Sequence, residues 1–182
     1  WMQRPFRLST RLSGKRLGIV GLGRIGNAIA QRGTGFAMDI RYHNRRPVAD
    51  APYVYMDDLA ALARWADFLV VVVSGGRTTE HIISRDILAE LGPDGYLVNV
   101  ARGSAVDEAA LTEALQSRSI AGAALDVFAT EPCVPAALVP LDNVVLLPHI
   151  GTATHETREA MGTLVIDNLL SYFRTGELLT PV

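Results

Sequence analysis

Six residues, Gly21-Leu22-Gly23-Arg24-Ile25-Gly26, directly follow an apolar run at 17–20 and open a stretch of helical pattern. In that setting Gly21 lets the chain turn sharply, Gly23 lets the backbone approach a pyrophosphate, and Gly26 lets the helix lie close against the strand. The anion is then held at the helix N-terminus, where free N–H groups and the helix dipole both favour negative charge. Position between strand and helix is what gives this dinucleotide fingerprint its weight. Arg102, Glu131 and His149 form a second group, each just beyond a predicted strand. Open α/β sheets present their ligand crevice at those strand ends. Taken singly, the three also have ordinary readings: a surface ion-pair partner, a turn acid before Pro132, and a loop histidine.

The residues that follow the second predicted strand decide which dinucleotide is expected. In NAD sites an acid about 20 residues beyond the glycines accepts the ribose hydroxyls. Here the strand ends in Tyr42-His43-Asn44-Arg45-Arg46-Pro47, without a carboxylate. A carboxylate would repel a ribose 2′-phosphate, whereas guanidinium groups clamp it through charge-assisted bonds worth roughly 1.5–3 kcal/mol each. The pattern predicts NADP(H) in preference to NAD(H); the competing reading is an exposed basic turn.

Six short apolar runs, at 17–20, 39–42, 68–73, 96–100, 122–127 and 144–147, alternate with helical patterns at 27–31, 59–64, 86–91 and 108–116. Continuous runs such as 68–73 suit strands covered on both faces. Helix starts are expected at Gly26, Asp57, Ser84 and Asp107. Strand and helix alternating at this pace predict an α/β fold, a doubly wound parallel sheet of the Rossmann type with right-handed crossovers. A final pattern at 156–174 spaces Met161, Leu164, Val165, Leu169, Tyr172 and Phe173 three and four apart. It predicts an amphipathic helix about 28 Å long, stopped near Gly176, with an extended tail beyond it.

The chain has 182 residues, of which 49% are hydrophobic and 20% charged, enough for a globular domain with a buried core. No apolar run reaches the roughly 18 residues of a membrane span. A single cysteine, Cys133, excludes an internal disulfide framework and leaves too few thiols for a structural zinc site, so a reducing, cytoplasmic setting fits. The nearest zinc-protease pattern, His155-Glu156-Thr157-Arg158-Glu159, lacks its second histidine, and no metal is expected. Lys15 is the only lysine and is followed by Arg16, so no GxxxxGK[ST] phosphate loop can be written. All 19 acidic side chains lie beyond residue 38, while seven of the 17 basic ones lie before it. That basic start reads as a solvated arm over residues 1–13, not as a targeting or nucleic-acid segment.

Four stretches together carry a resemblance: residues 18–26 with the glycines; Asn99-Val100-Ala101-Arg102-Gly103; Leu125-Asp126-Val127-Phe128 with Glu131-Pro132; and Pro148-His149-Ile150-Gly151. In this order and spacing they resemble the D-isomer-specific 2-hydroxyacid dehydrogenases, and within them the glyoxylate/hydroxypyruvate reductase branch. The resemblance implies reduction of a small 2-keto acid to its D-2-hydroxy acid. Arg102 would hold the substrate carboxylate, His149 would donate a proton to the ketone oxygen, and Glu131 would pair with His149 and favour its imidazolium form. Asp126 would bind the nicotinamide carboxamide with Gly151 beside the ring. Ser74, Gly75, Thr79 and Ala101 complete the residues expected along the cofactor, although the loop at 74–79 lacks a proline often found there in the family.

The family is bilobal. The resemblance therefore implies a Rossmann lobe at 14–151 and a helix and tail at 152–182 that would lie on a substrate lobe of roughly a hundred residues, expected to be absent from these 182. It also implies a two-fold dimer to which the arm contributes. The piece alone is expected to bind cofactor better than it turns over, because half a cleft cannot exclude water. The main alternative is a nucleotide-sensing module without turnover, like the corepressors that resemble these enzymes. Retention of Arg102, Glu131 and His149 speaks against it. Phosphoglycerate and formate dehydrogenases are further relatives, disfavoured by Arg45-Arg46.

Overall fold

The computed structural model describes residues 8–181, so the first seven residues of the expected arm lie outside the described residues. In chain order the elements are β1 (Arg16–Val20), α1 (Arg24–Thr34), β2 (Asp39–His43), β3 (Val54–Tyr55), α2 (Leu59–Trp65), β4 (Phe68–Val71), α3 (Arg85–Leu91), β5 (Tyr96–Asn99), α4 (Glu108–Ser117), β6 (Gly122–Leu125), β7 (Val144–Leu146) and α5 (His155–Thr175). Seven strands form one sheet in the order β3-β2-β1-β4-β5-β6-β7. Every neighbouring pair is parallel. The chain winds outward from β1 to β3, then restarts at β4 on the other side of β1. That reversal is the topological switch point at which ligands bind in such sheets.

Alternation along the strands sorts the core into two layers. Leu17 and Ile19 of β1 join Ala30 of α1, Ile40, Tyr42 and Val70. Val20, from the other face of β1, joins Leu69, Val71 and Leu97 with Leu62, Leu88 and Leu111 from the helices α2, α3 and α4. Leu62, Leu69 and Leu97 are fully buried, and each such side chain contributes about 1.5–3 kcal/mol relative to exposure. Observed strands β4 and β6 stop two residues before the apolar runs that predicted them. There the chain turns out of the sheet into the loops that carry candidate residues. The two-residue β3, paired Arg41 to Val54 and Tyr42 to Tyr55, is too short to announce itself in sequence.

Among the described residues, four of the five α-helices begin on a side-chain cap. Ser84, Asp107 and Thr154 accept from Ile87, Ala110 and Thr157, and Asp58, not the expected Asp57, accepts from the Ala60 N–H at 2.8 Å. The exception is α1, whose N-cap Gly23 has no side chain to offer and whose first turn holds no acid.

At the other end of the sheet, Asp67 accepts from the Arg16 backbone N–H at 2.8 Å and from its Nε and Nη2 at 3.1 and 2.9 Å. These bonds, the guanidinium ones foremost, hold the Asp67 carboxyl below its ordinary range. A carboxyl depressed on folding stabilises the fold above its unfolded value of about 4 and loses that contribution as pH falls through the lower folded value. We expect the melting temperature of Asp67→Asn to fall less steeply than that of the parent between pH 5 and pH 2. Parallel acid limbs in calorimetry would refute this.

Residues up to Pro148 cluster as one unit and His149–Val182 as a second. In the second, α5 ends at Gly176, whose φ of 81° is the left-handed conformation glycine favours. The tail expected to be extended instead folds back on the helix. Asn168 Oδ1 accepts from the Thr180 N–H at 3.0 Å, and Ser171 Oγ donates to the Glu177 carbonyl at 2.8 Å. None of the residues of α5 is buried, and the expected apolar stripe, from Met161 to Phe173, is exposed. Among the described residues no helix is long and apolar enough to cross a membrane.

Candidate functional site

The carboxyl ends of β1, β2, β4, β5 and β6 carry the candidate residues of the first unit. At the tip of β1, Gly21 has φ 105°, and a Cβ there would lie 2.9 Å from the carbonyl of Val72, just beyond β4. A Cβ on Gly26 would meet the Gly21 carbonyl oxygen at 2.2 Å, so the turn closes only with glycine at both positions. Gly23 has nothing within 4 Å of where its Cβ would be. The phosphate turn thus presents open space beside a helix N-terminus that no side chain caps. These are the features a pyrophosphate needs, and the residues fit a dinucleotide. Arg24 and Ile25 are exposed in the first turn of α1, and Leu22 is buried beneath it.

Beyond β2, Arg45 and Arg46 are exposed. The turn that presents them is braced: the Tyr42 hydroxyl accepts from the Val48 N–H at 2.9 Å, and the Tyr55 hydroxyl donates to the Asn44 carbonyl at 3.2 Å. Asn44 itself reaches back to the phosphate turn, its Oδ1 accepting from the Leu22 N–H at 2.6 Å.

The loop after β4 is stitched by Thr79, whose Oγ1 donates to the Ser74 and Gly76 carbonyls at 2.6 and 3.1 Å. Gly75 lies against Arg102, with a would-be Cβ 2.9 Å from the arginine Cγ. Arg102 is exposed, and its Nη1 donates to the Ala101 carbonyl at 2.7 Å. Directly beneath, Asn99 is 1% exposed. Its Oδ1 accepts from the Ala101 N–H and its Nδ2 donates to the Arg102 carbonyl, both at 3.0 Å. Gly103 then meets the backbone after β6: a Cβ there would sit 1.9 Å from the Phe128 carbonyl carbon. The buried Asp126 donates its N–H to the Asn99 carbonyl at 3.0 Å. The Phe128 N–H donates to Glu131 Oε1 at 3.2 Å, and the Ala129 N–H to Glu108 Oε2 at 3.1 Å.

The first unit therefore brings together the phosphate turn, the basic turn, the loop at 74–79, Arg102, Asp126 and Glu131 along one edge of the sheet. His149 and Gly151 belong to the second unit. There His149 takes a φ of 54°, a conformation uncommon for residues other than glycine and concentrated at functional sites. It lies six residues before the start of α5. No group of three or more His, Cys, Asp or Glu side chains suited to a metal occurs among the described residues.

Comparison with known proteins bears on the same residues. The family model described as D-isomer specific 2-hydroxyacid dehydrogenase, NAD binding domain, matches residues 1–151. The chain belongs to this family. Relatives include a 2-ketogluconate reductase of Gluconobacter oxydans (strain 621H), 48% identical over the whole chain and 59% of the relative. Another is a glyoxylate/hydroxypyruvate reductase A of Arabidopsis thaliana, 48% identical over the whole chain and 58% of the relative. Among solved structures, an NADPH-dependent glyoxylate/hydroxypyruvate reductase from Sinorhizobium meliloti in complex with NADP and malonate superposes with a TM-score of 0.94 at 50% identity, covering 97% of this chain and 56% of that one. As a member of the 2-hydroxyacid dehydrogenase family, this chain spans less than two thirds of these relatives.

Supporting residues escaped the sequence reading. Glu108 holds a loop N–H and Tyr55 a loop carbonyl, bonds that no motif announces; Asn99 stands in a recognised motif, which does not reveal that it braces Ala101 and Arg102. Beside that motif, a polar residue closing an apolar strand was the available signal for Asn99.

Proposed function

We propose that this chain is the coenzyme-binding part of an NADP(H)-dependent reductase that converts a small 2-keto acid, of the glyoxylate or hydroxypyruvate kind, to the D-2-hydroxy acid. The observation that carries the coenzyme choice is the exposed Arg45-Arg46 turn. Through Asn44 it is tied to the turn that opens an uncapped helix N-terminus, and residues 44–49 after β2 hold no carboxylate to oppose a 2′-phosphate. Residues 14–151 are the Rossmann lobe, and 152–182 the helix and tail that lie on a substrate lobe. The solved reductase described as NADPH-dependent supports the reading at 50% identity.

Bound nicotinamide dinucleotide supplies the hydride for the ketone carbon. The N–H groups opening α1 hold the pyrophosphate, Arg45 and Arg46 the 2′-phosphate, and Asp126 the carboxamide, with Ser74, Gly75, Thr79, Ala101 and Gly151 along its path. Arg102 holds the substrate carboxylate and draws electron density from the ketone oxygen. His149 delivers a proton to that oxygen, and Glu131 is the acid that the family resemblance assigns to the same step. Asn99 keeps the Ala101–Arg102 backbone fixed while substrate comes and goes. A homodimer and a cytoplasmic setting complete the proposal, and gel filtration at several concentrations tests the first.

Titration of the chain with both coenzymes is the direct test. NADPH is expected to bind more tightly than NADH. Arg45→Ala and Arg46→Ala should each weaken NADPH about tenfold or more while leaving NADH nearly unchanged. Equal affinities, or a preference for NADH, would overturn the coenzyme assignment. NADPH oxidation with glyoxylate and hydroxypyruvate tests the substrate class, on this chain and on a chimera joined to the unmatched part of a relative. Turnover by neither form would overturn the reductase reading.

A further inference from the structure

Two loops of the coenzyme site are connected by one side chain. Asn44 begins the turn that bears Arg45 and Arg46, yet its Oδ1 accepts from the Leu22 N–H of the phosphate turn at 2.6 Å. From the other side, the Tyr55 hydroxyl of β3 holds the Asn44 backbone carbonyl at 3.2 Å. The Gly21 N–H donates to the His43 carbonyl at 3.0 Å, so the two chain segments are tied one residue before Asn44 as well. Leu22 is 6% exposed, and an amide at such a place needs a fixed acceptor to stay bonded.

We propose that Asn44 is a positioning residue for the phosphate turn, coupling it to the ribose-selecting turn, so that affinity for both NADPH and NADH depends on its side-chain carbonyl. This rests on the coenzyme reading above. The Leu22 N–H is engaged by Asn44, so it is not one of the amides offered to a pyrophosphate. What Asn44 contributes is the orientation of the peptide leading into Gly23, where the approach must stay open. Loosening that peptide lets the turn sample conformations in which the α1 N–H groups no longer converge, a cost paid by any dinucleotide whatever its ribose carries. A residue acting only at the 2′-phosphate would affect NADPH alone.

The two cases separate in a pair of variants. Asn44→Ala removes the acceptor; Asn44→Asp keeps an oxygen for the Leu22 N–H but places negative charge beside Arg45 and Arg46. Asn44→Ala is expected to weaken NADPH and NADH by a similar factor, about five- to tenfold, the size of one lost hydrogen bond. Hydrogen exchange at the Leu22 amide of the coenzyme-free protein should accelerate in Asn44→Ala and stay slow in Asn44→Asp. Asn44→Asp should recover most of the NADH affinity lost in Asn44→Ala while binding NADPH weakly, which a general loss of folding would not produce. Loss of NADPH affinity alone in Asn44→Ala, or no loss of either, overturns the coupling. If Asn44→Ala does not fold, weak NADH binding by a folded Asn44→Asp also overturns it. Failure of the unaltered chain to bind either coenzyme would instead overturn the coenzyme reading itself.

Discussion

Replacing His149 by Gln is expected to lower the rate of NADPH-dependent keto acid reduction by about 10²- to 10⁴-fold, the usual worth of a positioned proton donor, with NADPH affinity retained. Hydride addition to a ketone leaves an alkoxide, which water at neutral pH protonates poorly and an imidazolium protonates readily. The backbone of His149, at φ 54°, offers an internal control. Asparagine suits that conformation as well as histidine does. His149→Asn should therefore lose turnover equally if the imidazole is what matters, and keep it if only the backbone shape does. Steady-state kinetics on the form that turns over, beside fluorescence titration of NADPH, distinguish these cases. Near-normal turnover in either variant would remove His149 from the mechanism.

Gly103→Ala should be the most damaging single methyl group in the first unit. Its Cβ would lie 1.9 Å from the Phe128 carbonyl carbon and 2.3 Å from the Ala129 N, and both obstacles are backbone. Overpacking of this kind costs typically 1–3 kcal/mol and more where nothing flexible can yield. For a chain of this size about 3 kcal/mol corresponds to a melting temperature roughly 6–12 °C lower. The same displacement would move Phe128, whose N–H is bonded to Glu131, and Ala129, whose N–H is bonded to Glu108. Turnover should fall further than the remaining folded fraction explains. A melting temperature within a degree or two of the parent would show that the β5 and β6 loops are not so tightly joined.

Motif chemistry was the legible part of this site. The strand-turn-helix placement of Gly21 to Gly26 dictates a close turn because two of its glycines have neighbours where a Cβ would go. The lack of an acid in the residues directly after β2, from Asn44 to Pro47, was equally plain. Asn44 was less so: grouped with Arg45 and Arg46 by sequence, it turns its side-chain carbonyl to Leu22. That bond spans 22 residues, and nothing local specifies it. Asn99 stood inside a recognised motif, but its bonds to both Ala101 and Arg102 depend on how the chain leaves β5. Asp58 displaced Asp57 as the cap of α2 because the choice between adjacent acids turns on backbone angles, which composition does not encode.

By itself the sequence determined the period of the strands, the positions of the helices and the family, because hydrophobic alternation and short motifs are properties of neighbouring residues. Tertiary structure alone decided which loops meet. Whether Gly103 must be glycine, whether Gly75 lies on the stem of Arg102, and which amide Asn44 holds all follow from strands far apart in the chain being set side by side. In a parallel sheet, adjacent strands are joined through long crossovers, so contacts at their carboxyl ends are fixed by packing of the whole domain and leave little trace in local spacing.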